Sequence, residues 1–592
     1  MILIEGARVF DGSGAKARVA DVLIDGEAIA AVGKDIAAPA GAVRIDGRGK
    51  TLIPGLHDLH THVRSPAYNA PEDLPKAWAG YLLAGVTTLN DYSVSGEMIA
   101  PIRELTTNPG GEGGGFWAPH LNEAVRFGVP GGHGTEYGWG SFFTMQTATP
   151  RAARHAMPGA LAYGPDVIKV FSDGWRYGRD PDIMSMNVET LSAIVADAHA
   201  AGKPVVTHTV TLEASKVAAA AGVDALGHGI GDKPIDDELI ALMKKSGTSY
   251  IATLVVYEPQ EARVLGAGEK TLLDVGELAD EARRFGGDIE PYDAKRWAIM
   301  QDNIRRLHKA RIPIAIGTDA GIGGVYHGQS ALREIWWLTK LGLSPAEALI
   351  AATRASALAM DRRSRTGLIG PGMRADLVLV GGEPDRRIED LAKVERVWTA
   401  GREVPLDALR ALRANAAATP LPKVAMPGPI LGTTRADGRT DLDTLPVATT
   451  EPGIDHSHLI ALDRPGGQPK FLAAQMGAAP RPYVQWVLPL TRGPIKLADA
   501  TGFAGIEIAV KGAGDYRLVI ESYGMDGRDW FAAPFQAGDT LKTVRLPFGE
   551  FKSSDRNVAL DLSTLRALRI ELSGVTGSTA SLEVGAIRFY RD

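Results

Sequence analysis

The sequence predicts an α/β protein in which a (β/α)8 barrel of the TIM type carries a small composite β-sandwich domain and a C-terminal all-β jelly-roll domain. Helices alternate with short apolar strands through residues 54–367, strand-like segments flank that region on both sides, and residues 456–592 read as strands separated by glycine-containing turns. With 592 residues the chain exceeds what one hydrophobic core usually serves, so separate domains are expected.

The two flanks of the barrel carry matching strand signals. Residues 1–53 contain short strands such as ILIEGARVF and ADVLIDG, each followed by a turn. Similar signals return within residues 368–413, in GPGMRADLVLVGG and VERVWTAGREV. We therefore expect the flanks to pair into one composite β domain beside the barrel.

The barrel region repeats a helix, a stop signal and a strand. Leu191, Ile194 and Ala198 have helical spacing, Gly202 suits the helix end, and Pro204 prevents continuation before the strand VVTH. The strand candidates are 53–60, 86–90, 116–121, 167–171, 205–208, 223–228, 250–254 and 312–319. Eight such units would close into a barrel whose chemistry lies at the carboxyl ends of the strands.

Composition limits the function classes. The net charge of -6, with no long run of one sign, argues against nucleic acid or an anionic membrane as partner. There is no cysteine, so any metal must be held by histidine, carboxylate or lysine-derived ligands. No signal peptide pattern opens the chain, which predicts a cytoplasmic location unless a leader preceded it in a periplasmic or secreted form. We expect a small-molecule substrate and a homo-oligomer.

A His-x-His pair, His60 and His62, ends the first barrel strand in PGLHDLHTH. Side chains alternate along a strand, so both imidazoles point to one side and can reach one metal ion. His208 and His228 stand at the ends of later apolar strands, and Asp319 ends the strand in IPIAIGTDAG. Taken singly, each of these three is at least as well explained by a structural role; their recurrence at equivalent strand ends favours a metal site.

Lys169 lies within the apolar strand of GPDVIKVFSDG. A buried lysine must find a counter-charge, become neutral or be chemically modified. The strand carrying it would precede the strand that bears His208, so Lys169 would lie within reach of the histidines.

The order His-x-His, Lys, His, His, Asp resembles the binuclear branch of the amidohydrolase superfamily, over about residues 1–405. The resemblance implies that carbon dioxide carboxylates Lys169 and that the carbamate bridges two divalent metals, commonly zinc. It assigns His60, His62 and Asp319 to one metal and His208 and His228 to the other. His57, where the family more often has an apolar residue, is interpreted as structural.

Two adjacent metals can hold hydroxide at neutral pH, polarise an acyl oxygen and stabilise the charge that develops during attack. Asp319 would then be the catalytic residue that accepts the proton of the hydroxide and passes it to the leaving group. Substitution of Asp319 by asparagine or alanine is expected to remove turnover and spare the fold.

Further candidates come from the loops. The GGHG segment at residues 131–134 resembles imidazolonepropionase-related peptidases and ochratoxinase-like amidases, so His133 is a candidate substrate contact, with an incidental loop histidine as the alternative. His327 in VYHGQS is a similar candidate. Arg176 and Arg179, near Trp175 and Tyr177, could grip a substrate carboxylate, although solvated loop arginines are the favoured interpretation.

Residues 414–455, rich in Pro, Ala, Thr and Gly, are predicted to be a linker or wrapping segment. Residues 456–592 resemble the complex I intermediate-associated protein 30 family of galactose-binding-like jelly rolls. Their aromatic residues could contact carbohydrate, but sandwich core is the favoured role for Trp486, Trp530, Phe548 and Phe551.

The predicted function is metal-dependent hydrolysis of an amide or peptide bond in a dipeptide or N-acyl amino acid. Hydrolysis of cyclic amides, lactones or carbamates is the alternative, because the metal centre serves both. Deaminases of the superfamily commonly show HxxE after the fifth strand, and His208-Thr209-Val210-Thr211 lacks that acid. A non-catalytic scaffold is disfavoured by the intact ligand set.

Overall fold

The structure is a computed structural model that describes most of the chain. The described residues are 1–63, 73–111, 114–135, 140–173, 184–283, 288–432, 435, 437–453, 455–464, 468–524, 530–553 and 558–591. Within them, no helix combines the length and apolarity needed to cross a bilayer.

The central domain is a parallel (β/α)8 barrel. Its strands, in chain order, are Leu56–Thr61, Val86–Asp91, His120–Gly128, Val167–Phe171, Val205–His208, Ala225–Gly227, Ser249–Ile251 and Ile314–Ala315. Neighbours in the sequence are neighbours in the sheet. The barrel closes where His62 N donates to Ala320 O at 2.7 Å and Leu59 N donates to Ile316 O at 2.8 Å. The predicted barrel is confirmed.

Helices cover the barrel and connect its strands. The described α-helices are Leu74–Leu83, Gly96–Leu105, Gly140–Phe143, Pro150–Ala162, Val188–Ala200, Leu212–Ala221, Asp237–Ser246, Leu254–Tyr257, Ala267–Lys270, Val275–Arg283, Pro291–Lys309, Gln329–Lys340, Pro345–Ile350, Ser356–Met360 and Leu406–Ala414. The helix that ends at Ala221 is closed by Gly222 in the left-handed conformation, with φ of 85°. This is the stop signal that glycine provides at helix ends.

The third barrel strand differs from its prediction. It runs over His120–Gly128 rather than 116–121. Glu123 and Arg126 interrupt the apolar pattern, yet they are only 0% and 5% exposed. Arg126 is accommodated because its guanidinium donates to the carbonyl oxygens of Phe143 and Tyr92, both at 3.0 Å. A charged side chain satisfied by distant carbonyl groups leaves no signal in a local pattern.

Both flanks of the barrel contribute to one eight-stranded sheet. Its strands are Ile2–Val9, Arg18–Asp25, Ala28–Gly33, Val43–Asp46, Lys50–Pro54, Leu377–Gly381, Val394–Thr399 and Arg402–Glu403. The flanks meet where Lys50–Pro54 pairs antiparallel with Leu377–Gly381 in the register Leu52 to Leu379. A separate apolar cluster that includes Trp398 fills this domain.

The C-terminal domain consists of two β-sheets around their own core. One sheet contains Lys423–Ala425, Val447–Thr450, Tyr483–Pro489, Leu497–Asp499, Asp515–Ser522, Phe531–Gln536, Lys552–Ser553 and Leu565–Ser573. The other contains Pro429–Leu431, His458–Leu462, Lys470–Gln475, Gly505–Lys511, Lys542–Pro547 and Thr579–Tyr590. Trp486 and Phe551 are buried in the core, Phe548 packs against it, and Trp530 lies over the Arg569 guanidinium at 3.8 Å.

The segment predicted as a linker or wrapping segment, residues 414–455, contributes strands to this domain. Three of its short strands, Lys423–Ala425, Pro429–Leu431 and Val447–Thr450, pair with strands beyond residue 480. The C-terminal sheets therefore begin about thirty residues before the predicted boundary at 456. Short pairings flanked by proline and glycine are weak strand signals, because their partners lie far away in the sequence.

Candidate metal centre

His60 and His62 are fixed by the closure of the barrel. His60 O accepts from Asp319 N at 2.7 Å and from Thr318 N at 3.2 Å, so the first strand is joined to the segment after the eighth strand. Asp58 strengthens the join, because its carboxylate accepts from Thr318 N at 3.0 Å and from Thr318 Oγ1 at 2.6 Å. The His-x-His pair and Asp319 are therefore held in one rigid arrangement.

Three ligand atoms converge at this point. His62 Nε2 lies 2.9 Å and His60 Nε2 lies 3.5 Å from Asp319 Oδ1. All three groups can place their ligand atoms within 4.8 Å of one another. Tetrahedral ligands at zinc distances are about 3.4 Å apart, so the spacing fits one divalent ion. Asp319 Oδ1 is buried and accepts no hydrogen bond from the described part of the chain.

Lys169 reaches the same point from the fourth strand. It is 0% exposed, and its Nζ lies 3.0 Å from His60 Nε2. Burial lowers the pKa of Lys169 well below its ordinary value, and the Arg126 charge lowers it further against the opposing effect of Asp319. A neutral amine is the form of lysine that carbon dioxide can carboxylate. Burial also lowers the pKa of His60 well below its ordinary value, which favours the neutral, metal-binding imidazole.

His208 and His228 lie beside the first pair. The ring centroids of His208 and His228 are 4.5 Å apart, and those of His60 and His228 are 4.2 Å apart. His228 Nδ1 lies 2.9 Å from Thr253 Oγ1, a contact that orients the ring and leaves Nε2 as its ligand atom. The structure thus brings together all six residues predicted as ligands.

His133 adjoins this cluster on the His208 side. Its ring lies 4.2 Å from the His208 ring and 5.0 Å, edge-on, from the Phe171 ring. Gly134 has φ of 79°, and a Cβ there would come within 2.4 Å of Phe171. The glycine therefore lets the loop approach closely enough to place His133 beside the predicted ligands.

His327 and His57 occupy different positions. His327 Nε2 lies 3.3 Å from the His62 carbonyl oxygen, and burial lowers the pKa of His327 to about 4. His57 lies at the amino-terminal end of the first strand, where its Nε2 is 3.2 Å from Thr366 Oγ1. A cavity of about 510 Å³ at that end of the barrel is lined by His57, His120 and Thr88.

Four predicted loop residues, Trp175, Arg176, Tyr177 and Arg179, lie outside the described residues.

Sequence reasoning missed Tyr92 and Thr253. The Tyr92 hydroxyl donates to Leu59 O at 2.8 Å, its ring meets the His60 ring edge-on at 4.7 Å, and Lys169 Nζ lies 4.3 Å from the ring centroid. Tyr92 directly follows the second barrel strand and Thr253 lies two residues after the end of the seventh, so the strand-end rule that found the histidines could also have found them.

Known proteins share sequence with most of this chain. A family model described as "Amidohydrolase family" matches residues 51–404. Ochratoxinase from Aspergillus niger is 24% identical over 440 residues, covering 68% of this chain and 86% of that protein. Dihydroorotase from Geobacter sulfurreducens is 39% identical over 88 residues, which is 15% of this chain and 21% of that protein.

Solved structures share the fold. A Xaa-Pro dipeptidase with bound methionine superposes with a TM-score of 0.55 at 23% identity, covering 68% of this chain and 99% of that one. Phenylurea hydrolase B superposes with a TM-score of 0.57 at 21% identity, covering 71% and 100%. The family match ends at residue 404, before the C-terminal domain begins.

Proposed function

Since the chain belongs to the amidohydrolase family, an enzyme family that acts on carbon–nitrogen bonds, we propose that it hydrolyses the amide or peptide bond of a dipeptide or an N-acyl amino acid. The observation that carries the proposal is the convergence of His60, His62 and Asp319 around the buried Lys169. Two proteins support this choice of bond. Ochratoxinase is a relative by sequence, and the Xaa-Pro dipeptidase, which is named for its dipeptide substrate, has the same fold.

We assign His60, His62 and Asp319 to one divalent metal and His208 and His228 to a second, with carboxylated Lys169 between them. Zinc is the proposed metal, since imidazole and carboxylate ligands at this spacing suit it. Carboxylation forms a bond between Lys169 Nζ and the carbon of carbon dioxide, and the amine proton leaves to solvent. Bound at these positions, two such ions would polarise the scissile carbonyl and lower the pKa of the attacking water.

Asp319 is the proposed general base and acid. Its main-chain N–H donates to His60 O at 2.7 Å, and its carboxylate Oδ1 lies 2.9 Å from His62 Nε2. It can accept the proton of the attacking water and donate it to the leaving nitrogen, so that bond cleavage releases a neutral amine. The carboxylate then returns to its starting state.

His133 and His327 are proposed substrate contacts. His133 lies beside His208, where it could donate to the carbonyl oxygen or the carboxylate of a substrate. His327 lies in the segment that follows Asp319, and its Nε2 is 3.3 Å from the carbonyl oxygen of His62 at the end of the first strand. Its lowered pKa keeps the ring neutral at pH 7; because the single N–H of the neutral ring then donates to the His62 carbonyl oxygen, Nδ1 would accept a hydrogen bond from a substrate N–H or O–H.

Cyclic amides, lactones and carbamates are the second candidate substrates. The similarity to dihydroorotase over 88 residues favours this alternative. The same residues would serve, because both substrate classes require a polarised carbonyl and an activated water.

Metal analysis combined with a substrate panel tests the proposal. The panel contains Xaa-Pro and other dipeptides, N-acyl amino acids, hydantoins and lactones, with Asp319→Asn as the control for contaminating activity. We expect about two metal equivalents per chain and turnover of a dipeptide or N-acyl amino acid. Turnover confined to hydantoins or lactones would favour the second candidate. Less than about one tightly held equivalent, with unmodified Lys169, would contradict the binuclear assignment.

A further inference from the structure

The C-terminal domain shares apolar core with the barrel. Ile495 and Leu497, both 1% exposed, belong to the same apolar cluster as the barrel helices. Beside them, Gly493 approaches the main chain of the helix Gly96–Leu105 so closely that a Cβ would lie 2.6 Å from Glu97 O. The two domains are therefore in close contact at Gly493 and bury apolar side chains against each other at this point.

Glu97 is the centre of an ionic cluster across this interface. It is 3% exposed and lies in the first turn of the Gly96–Leu105 helix. Arg439 donates to both carboxylate oxygens, at 2.6 and 3.0 Å, and Arg492 Nε lies 3.3 Å away. Burial would raise the pKa of Glu97, but the hydrogen bonds and charge of Arg439 outweigh it, so the pKa of Glu97 is lowered.

A second contact involves the segment that follows the third barrel strand. This segment, residues 140–146 and here called the strand-3 excursion, forms the helix Gly140–Phe143 and then the strand Thr144–Gln146. The strand pairs in parallel with the end of the third barrel strand. Phe142 and Phe143 line a cavity of about 380 Å³ together with Glu97 and residues 445–448 of the C-terminal domain.

The strand-3 excursion in turn supports the loop that carries His133. Thr144 Oγ1 donates to Gly134 O at 2.9 Å, next to His133. Phe143 O accepts from Arg126 Nε at 3.0 Å, and the Arg126 guanidinium lies 5.6 Å from the centroid of the Phe171 ring, against which His133 packs. The helix Gly140–Phe143 contacts the strand Val447–Thr450 of the C-terminal domain, and these hydrogen bonds extend that contact to the loop of His133.

We propose that the C-terminal domain supports the active site. Glu97, Arg439 and Arg492 hold the strand-3 excursion against the barrel, and the excursion positions His133 for substrate. Glu97 and Arg439 are positioning residues, because they act through the excursion and do not reach the predicted ligands. The proposal rests on the proposed function for the role of His133 in substrate binding.

Arg439→Gln tests the proposal in the metal-loaded, full-length protein. The control is Arg545→Gln, which removes a more exposed guanidinium, paired with Glu507, away from the interface with the barrel. Hydrogen exchange is followed in peptides covering residues 128–146. We expect exchange there to be about 5- to 30-fold faster in Arg439→Gln, as the loss of one or two buried charged hydrogen bonds allows, and unchanged in Arg545→Gln. Equal exchange in both variants would overturn the proposal.

Kinetics supply the second readout. With a substrate from the panel, Arg439→Gln should raise KM by about tenfold or more while kcat and metal content stay near their original values. An unchanged KM despite faster exchange would refute the positioning of His133. The exchange measurement needs no substrate, so failure of the proposed function is distinguishable from failure of this inference. If Arg439→Gln does not fold, Arg492→Gln, whose arginine side chain is 43% exposed, replaces it under the same criteria.

Discussion

Replacing Thr253 with valine should weaken metal binding at the position assigned to His208 and His228. Valine keeps the shape and β-branching of threonine, which matters because Thr253 is 0% exposed and has φ of 47°. The substitution removes the hydroxyl group, whose oxygen lies 2.9 Å from His228 Nδ1. That nitrogen then loses the hydroxyl that fixes its tautomer and ring orientation.

The size of the effect follows from this single contact. Leaving one buried polar group unsatisfied costs about 1–3 kcal/mol, and removing a group that orients a metal-binding histidine typically lowers metal affinity about 10- to 100-fold. We therefore expect the second metal to bind about 10- to 100-fold more weakly, while the first metal, held by His60, His62 and Asp319, is affected little. The corresponding difference in binding free energy is about 1.4–2.8 kcal/mol.

Competition with a chelator, followed by metal analysis of the recovered protein, measures both affinities. Thr253→Ser is the matched control, because it keeps the hydroxyl and loses only a methyl group. Its cost should appear as about 1 kcal/mol of unfolding free energy rather than as weaker metal binding. Equal metal affinity in Thr253→Val and the original protein, or equal weakening in both variants, would refute the assigned role of the hydroxyl.

Three further changes test the site and its surroundings. Asp319→Asn should lower kcat by about 10²- to 10⁴-fold with little change in the melting temperature, since asparagine tolerates the positive φ of 63°; near-normal kcat would exclude Asp319 as the general base. Lys169→Gln should prevent carboxylation and reduce bound metal below two equivalents, measured by metal analysis and by the mass gain of one carbon dioxide in the original protein; two retained equivalents would rule out a lysine bridge. His57→Leu should make stability less sensitive to acid. Burial, and after it the charges of Arg374 and His120, lowers the pKa of His57 to about 3. Between pH 6.5 and pH 3 the His57 imidazole is therefore protonated in the unfolded state and neutral in the folded state. The free energy of unfolding consequently falls as the pH falls through this range. At pH 4.5 this proton uptake lowers the free energy of unfolding of the original protein by about 2–3 kcal/mol, and it has no counterpart in His57→Leu. Urea unfolding at pH 7.5 and pH 4.5 should therefore show a larger decrease in the free energy of unfolding for the original protein than for the variant.

The residues at the centre of the site could be predicted because each carries a local signal. His60, His208, His228 and Asp319 stand at the ends of apolar strands, and Lys169 is a charge inside one. A parallel barrel brings all its carboxyl strand ends to one face, so position along the strand is enough to group these residues. No knowledge of their three-dimensional contacts was needed.

Other parts depend on contacts that no local pattern records. Arg126 interrupts a buried strand and is stable there only because it bonds to the carbonyl oxygens of Phe143 and Tyr92. The ionic cluster joins Glu97 to Arg439, 342 residues away. The short strands between 423 and 450 exist because distant partners pair with them. Each of these features is decided by tertiary structure, where sequence propensity has little weight.

The composite sheet also constrains how the chain can fold during synthesis. Thr51 donates to the carbonyl oxygen of Gly382, 331 residues further along, at the seam between the two flanks. Until the ribosome has released the strand Leu377–Gly381, the strand Lys50–Pro54 lacks this neighbour and leaves an apolar edge open to other chains. Contacts of such long sequence separation form slowly, so the first flank of the composite sheet should depend on chaperone protection until the strand Leu377–Gly381 emerges.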